Sequence, residues 1–400
     1  MNAKYLKLTV TLIIGLFIGG ALCSTLLPTR KTITTVFTET TNSTKTLTLF
    51  KTRTKTATLT VMHVSTVTLR ETTTKTLASI IYITVEKTII KRRVPRLATR
   101  GNKLVADGEE IFLRGVSIAD PAFLDWEGRF NETLFDEIRK WGFNAVRVPI
   151  HPIFWRRYPD YLDRYLDKVI EWCEEREIYV IIDWHAIGNP KTGETEMHEW
   201  FEWEPWKGIA YDANFSLAIS AWEKISERYK NRSNVLYEIF NEPTWITWDE
   251  WKPLAEKLID VIREHDDAVI IVGGVDWAYD LREAMEKPIK GDNIAYAVHV
   301  YPGRPRESWE DYWGRLAEVK PLIITEWGFE KKPQYGSYLK GTRENFGEPL
   351  IAYAEGRVAG WVAWVFHPSW EPNMIKDWNY TPTDFGSFVK EVLSRRITSQ

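Results

Sequence analysis

Cysteine is almost missing from this chain of 400 residues, which has only Cys23 and Cys173. The first lies in an apolar N-terminal run and the second in a helix-like segment, so the globular part can form no internal disulfide. A domain of this length needs no such staple. No Cys/His cluster has zinc-like spacing. No glycine-rich phosphate turn follows an early strand, which argues against a doubly wound nucleotide-binding sheet. Glycine is absent from residues 28–96, and proline occurs there only as Pro28 and Pro95. Without turn residues that stretch cannot close into a compact sandwich. Basic charge is short in the remainder. Residues 97–400 carry 37 Lys+Arg against 52 Asp+Glu, a net of −15, which argues against nucleic acid as a partner.

What is present falls into three regions. In residues 1–27, Lys4 and Lys7 precede an apolar run from Leu8 to Leu27. That order reads as an export signal or a membrane anchor, and the run is long enough to span a bilayer. In residues 28–96 a third of the positions are threonine, with 13 Lys+Arg against three Glu. Alternation such as Thr44-Lys45-Thr46-Leu47-Thr48-Leu49 favours extended backbone. The expectation is a Thr-rich stalk that holds the globular part at the cell surface or outside the cell, with a β-fibrous assembly element as the alternative. Residues 97–400 form the third region, expected to act as a monomer.

Within 97–400 the pattern is α/β. A hairpin with an Asp107-Gly108 turn opens it. Strand-like runs then follow at 111–118, 143–149, 178–184, 234–240, 268–273, 294–300, 321–326 and 358–365. Helix-like segments at 131–141, 162–177, 212–230, 248–265, 308–317, 344–356 and 384–395 alternate with them, and a short piece at 278–287 fills the remaining gap. Eight strand–helix pairs over such a length predict a (β/α)8 TIM barrel. The connection 185–211, rich in tryptophan, then lies on the face where barrels build their sites.

Polar residues recur where these strands end: Arg147 on the second, His185 on the third, Asn241 and Glu242 on the fourth. His299 and Tyr301 follow on the sixth, Glu326 on the seventh and Trp364 on the eighth. Such groups are expensive to bury unpaired, and six strands doing this at one end point to a site. Retaining cleavage of a glycosidic bond needs a carboxylate nucleophile and a carboxylic acid about 5 Å apart. Glu242 and Glu326 are the pair in view. A nearby arginine lowers a nucleophile's pKa, which is the role open to Arg147. Tyr301 can donate to the nucleophile, Asn241 can bond a sugar hydroxyl, and Trp364 can floor a sugar ring.

The ordered set of Arg147, His185, Asn241-Glu242-Pro243, His299-Val300-Tyr301, Glu326-Trp327-Gly328 and Gly360-to-Trp364 resembles glycoside hydrolase family 5 over residues 97–400. The resemblance implies that Glu242 is the acid/base and Glu326 the nucleophile. It also implies that Arg147, His185, Asn241, His299, Tyr301 and Trp364 line the subsite of the attacked sugar. The activity implied is a retaining endo-β-1,4-glucanase without metal or organic cofactor, acting on β-linked polysaccharide. A β-1,4-mannanase of the same fold and a non-catalytic glycan-binding surface protein are the alternatives.

Overall fold

In a computed structural model of the chain, the structure describes residues 94–195 and 208–395, with four backbone strands further upstream. Two compact units result, Met1–Lys91 and Arg92–Gln400. In the first, Leu6–Ile14 pairs antiparallel with Ile81–Ile89, and Lys45–Leu49 with Ser65–Leu69. Apart from residues 94–96, the other residues of the expected leader and stalk lie outside the described residues, as do Trp200, Trp203 and Trp206 of the long connection. Among the described residues, no helix is long and apolar enough to cross a membrane.

The second unit is a closed barrel of eight parallel strands. They are β1 (Leu113–Ser117), β2 (Ala145–Ile150), β3 (Tyr179–Trp184), β4 (Val235–Glu238), β5 (Ile270–Gly273), β6 (Ile294–Val300), β7 (Leu322–Trp327) and β8 (Gly360–Ala363). Each overlaps a strand expected from the sequence. Before them Ala98–Arg100, Lys103–Ala106 and Glu109–Ile111 form a small antiparallel sheet, with Asp107 and Gly108 left-handed at the second turn. The expected hairpin therefore has a third strand.

The helices depart from expectation in detail. The segment 162–177 is a π turn, Leu162–Leu166, running into Asp167–Glu175. Similar π turns at Glu310–Gly314 and Arg343–Gly347 lead into Arg315–Ala317 and Glu348–Ala354. Two short helices, Pro121–Trp126 and Pro152–Arg157, were not anticipated. Each begins at a proline, whose fixed φ and missing N–H suit a first helical turn.

Side chains alternate along each strand between the barrel interior and the surrounding helices. Leu113, Ala145, Tyr179, Ile181, Leu236, Ile271, Ala295, Ala297, Ile323 and Val362 share the interior cluster. Val146, Val180, Tyr237, Ile270, Val298, Ile324 and Trp361 face outward into the larger one. Val94, Leu97 and Leu104 belong to the interior cluster too and close its N-terminal end. Continuing this alternation toward the C-terminal ends turns Arg147, Asp183, Glu238 and His299 inward. The barrel is thus apolar below and ionic above.

Candidate active site

Arg147 is the centre of the ionic layer and is fully buried. Its Nε donates to Glu238 Oε2 at 2.6 Å, its Nη1 to Glu326 Oε1 at 2.8 Å and its Nη2 to Asn241 Oδ1 at 2.7 Å. Asp183 Oδ2 lies 3.1 Å from the same Nη2. Burial alone would lower the arginine's pKa, but the charges of Asp183, Glu238 and Glu326 outweigh it and the value is raised. Burial also acts on Glu238, yet Arg147 and His299 hold that carboxyl at about 2.

Glu326 owes its inward aim to a bulge. Val298 pairs with Ile324 and His299 with Glu326, so β7 carries one residue more than β6. Its pairing with β8 skips in the same place. Strict alternation from Ile323 would turn Thr325 in and Glu326 out, whereas the extra residue brings both to His299. His299 Nε2 lies 3.1 Å from Thr325 Oγ1, and its Nδ1 lies 3.6 Å from Glu326 Oε2 and 2.8 Å from Glu242 Oε1. Tyr301 donates to Glu326 Oε2 at 2.7 Å. One ligand atom each from Glu242, His299 and Glu326 falls within 4.8 Å of the others.

Burial pushes the Glu326 carboxyl above its ordinary value. His299 and Arg147 pull it down, Glu242 pushes it up, and the Tyr301 hydrogen bond pulls it down. Arg147 thus pulls the value down, which is the role open to it from the sequence, but burial is the larger effect and leaves the carboxyl raised. His299 moves the other way from His185. Burial lowers His299, but the charge of Glu326, the nearby Glu238 carboxylate and the bond to Glu242 carry it up to about 10, so it is an imidazolium at neutral pH.

Glu242 is placed by a second small sheet. Ile187–Asn189 pairs in parallel with Glu242–Pro243 and antiparallel with Glu194–Thr195. The backbone N–H of Glu242 bonds Ala186 O at 3.0 Å and that of Thr244 bonds Gly188 O at 3.0 Å. The long third connection therefore holds Glu242 in place.

His185 joins through Asp183, at 2.6 Å from Nδ1 to Oδ2, and lies parallel to Trp364 with ring centroids 5.4 Å apart. Burial drives His185 well below its usual value and keeps it neutral, with His151, Arg147 and His299 adding to the effect. Trp364 is partly exposed and also stacks with Trp370 at 6.2 Å. All eight site residues proposed from sequence thus fall into one connected set.

Sequence reasoning missed Glu238, Thr325 and the support behind His185. The signal for Glu238 was available: it stands two residues after inward Leu236, where an unpaired carboxylate would be untenable. His151, 4.6 Å from His185, is tied by its N–H and Nδ1 to Asp120 Oδ2 at 2.8 and 3.2 Å, and no motif announces it. Glu242, His299 and Glu326 have spacing a metal ion could use. Their facing atoms are already engaged by Arg147, Tyr301 and one another, and the guanidinium beside Glu326 repels a cation.

Residues 104–369 match the cellulase family, glycosyl hydrolase family 5. The chain is 31% identical over 245 residues to endoglucanase A of Butyrivibrio fibrisolvens, covering 58% of this chain and 52% of that protein. It is 30% identical over 211 residues to endoglucanase E-5 of Thermobifida fusca, covering 50% of this chain and 40% of that protein. This chain therefore spans about half the length of the curated relatives it matches. Among solved structures, the beta-glucanase SdGluc5_26A of Saccharophagus degradans is similar at a TM-score of 0.70 and 33% identity, over 76% of this chain and 94% of that one. A second structure of that beta-glucanase is a complex with cellotetraose.

Proposed function

The chain belongs to glycoside hydrolase family 5, and from that premise we propose that it is a retaining endo-β-1,4-glucanase. The observation that carries the proposal is the approach of Glu242 and Glu326 to within 4.8 Å. Retaining enzymes hold their carboxyl groups about 5 Å apart, whereas inverting ones leave about 6.5–9.5 Å for a water. The glucan preference is supported by relatives bearing the endoglucanase name and by the beta-glucanase structure that holds cellotetraose.

In the first step Glu326 attacks the anomeric carbon while Glu242 gives its proton to the departing glycosidic oxygen, leaving a glycosyl ester on Glu326. In the second, Glu242 takes a proton from water, the water oxygen bonds the anomeric carbon, and the ester bond to Glu326 breaks. Arg147 and Tyr301 each hold one oxygen of Glu326, which fixes the plane of the carboxylate through both steps. Arginine only donates, so the Asn241 oxygen must face Arg147 and the amide NH2 is left for a sugar hydroxyl.

Reducing-sugar release from carboxymethyl-cellulose and from β-mannan, with proton NMR of the first-formed anomer, tests this. Release from the cellulose with the β-anomer appearing first is expected. The α-anomer first would end the retaining mechanism, release from mannan alone would make the protein a mannanase, and a folded protein releasing nothing would leave a glycan binder. The proposal also has residues 1–27 serve as signal or anchor and residues 28–96 as stalk, on the strength of Lys4, Lys7 and the apolar run behind them. External protease removing the activity from intact expressing cells is the expected result.

A further inference from the structure

Beyond β5 the chain enters a conformation that L-residues avoid. Asp276 has φ 57 and ψ 58, Trp277 has φ 59 and ψ 51, and Ala278 has φ 55. Aspartate tolerates the left-handed region, but tryptophan and alanine gain nothing from it. Three in succession persist only where the surroundings over-determine them, and such strain gathers at ligand-holding sites.

Two devices hold this turn. Val275 and Asp280 exchange backbone hydrogen bonds at 3.0 and 2.8 Å. Arg304 then grips the first left-handed residue twice, Nη1 to Asp276 Oδ2 at 2.8 Å and Nη2 to Asp276 O at 3.0 Å. Its guanidinium also lies over the Tyr279 ring at 4.4 Å. Arg304 is itself fixed. Its N–H bonds Tyr301 O at 2.9 Å and its carbonyl accepts from Trp309 Nε1 at 3.2 Å. The loop that aims Tyr301 at Glu326 thus also anchors the strained turn.

The turn sets Trp277 edge-on to Trp245, with centroids 6.4 Å apart at 80°. Trp245 is likewise left-handed, with φ 53, and is 47% exposed. Its carbonyl is held by Asn189 Nδ2 at 2.7 Å. It stands three residues past Glu242, which must face the departing oxygen, while Trp364 directly follows β8. The two indoles therefore flank the side of the cleft that receives the departing sugars. An indole left about half exposed gives only part of its surface to a core, whereas its open face suits the C–H surface of a pyranose.

We infer that Arg304 is a positioning residue for departing-sugar recognition: by gripping Asp276 it holds Trp277 against Trp245 as an aromatic corner for the glucosyl units beyond the scissile bond. This rests on the glucanase reading above. The test compares wild type, Arg304→Gln and Trp277→Ala on cellopentaose and on p-nitrophenyl β-cellobioside, whose nitrophenolate is no sugar. Both variants should lower the ratio of kcat/KM for cellopentaose to that for the aryl cellobioside about tenfold, mostly through KM. Arg304→Lys keeps a charge beside Asp276 and should recover part of the ratio. It also carries the test if Arg304→Gln does not fold. A ratio that stays at the wild-type value in the arginine variants, or both substrates falling together, overturns the inference alone. A wild type that cleaves neither substrate overturns the glucanase reading and this inference with it.

Discussion

Replacing Arg147 by methionine strands a cluster of carboxylates. Methionine keeps the length and some of the volume but none of the donors. Glu238, fully buried and held at about 2, loses its nearest cation, and Glu326 and Asp183 lose a shared one. Removing one partner of a buried ion pair costs about 3–5 kcal/mol. The loss has a ceiling, because a stranded carboxylate can take up a proton. From an ordinary glutamate value that uptake costs about 4 kcal/mol at pH 7 and almost nothing at pH 4. Three carboxylates share the loss, and His299 still offers each of them partial compensation, so the terms do not simply add.

The deficit expected at pH 7 is therefore about 4 kcal/mol, or a fall in Tm of roughly 10 °C for a domain of this size. Its pH dependence has a definite sign. In the variant the buried carboxyls have folded-state pKa values above their unfolded ones. The native state then binds more protons, and stability falls as pH rises from the unfolded value toward the folded one. Thermal melts of wild type and Arg147→Met from pH 4 to pH 8, read by circular dichroism, should show the gap widening with pH. A variant melting within about 2 °C of wild type at pH 7 would contradict this account, as would a gap larger at pH 4 than at pH 8.

Further outcomes follow from the same geometry. His299 has a folded value of about 10, so its stabilising contribution is complete below the ordinary histidine value and disappears as pH rises through 10. The Tm gap between wild type and His299→Gln should accordingly narrow between pH 7 and pH 10. Gly188 has φ 149, and an added Cβ would sit 2.1 Å from Glu194 O and 2.9 Å from Ala213 Cβ. Gly188→Ala should disturb the strand that holds Glu242 and lower kcat by on the order of a hundredfold, measured on carboxymethyl-cellulose. Glu242→Ala should lose about 10²–10⁴ in turnover of polysaccharide. It should lose far less on an aryl glycoside whose leaving group needs no proton, with added azide restoring rate by replacing the activated water.

The barrel was legible because its strands are short apolar runs separated by amphipathic segments, and that pattern depends little on the site. Of Trp172, Trp222 and Trp251, all at helical spacing, the last two are fully buried and the first packs partly buried against the same core. The π turns were not legible, since one extra residue in a helical turn leaves the apolar spacing almost intact. Among site residues, those at strand ends stood out through the contrast between a polar side chain and an apolar run. Glu238 shows itself only through the inward register it shares with Leu236, because it lies within such a run, four residues before the more conspicuous Glu242. Asp120 and His151 were hidden because their roles exist only across the gap between two loops.

Glu326 shows where alternation stops being a guide. The β7 run Leu322-Ile323-Ile324-Thr325-Glu326-Trp327 places its fifth residue outward if the pleat is regular. Only the pairing with β6 and β8 reveals the extra residue at Thr325. The bulge has two consequences that a regular strand could not deliver together. It lets Thr325 occupy His299 Nε2 while Glu326 stands near Nδ1, so the imidazolium is held from both sides. It also leaves Trp327 facing outward, buried against Trp361 and Phe385 at 5.6 and 5.2 Å, which anchors the strand directly behind Glu326. A carboxylate that must hold its position beside Arg147, Tyr301 and His299 is thus carried on backbone fixed from the opposite face by large aromatic rings. The irregularity in the sheet is what lets one short strand serve the apolar shell and the ionic layer at once.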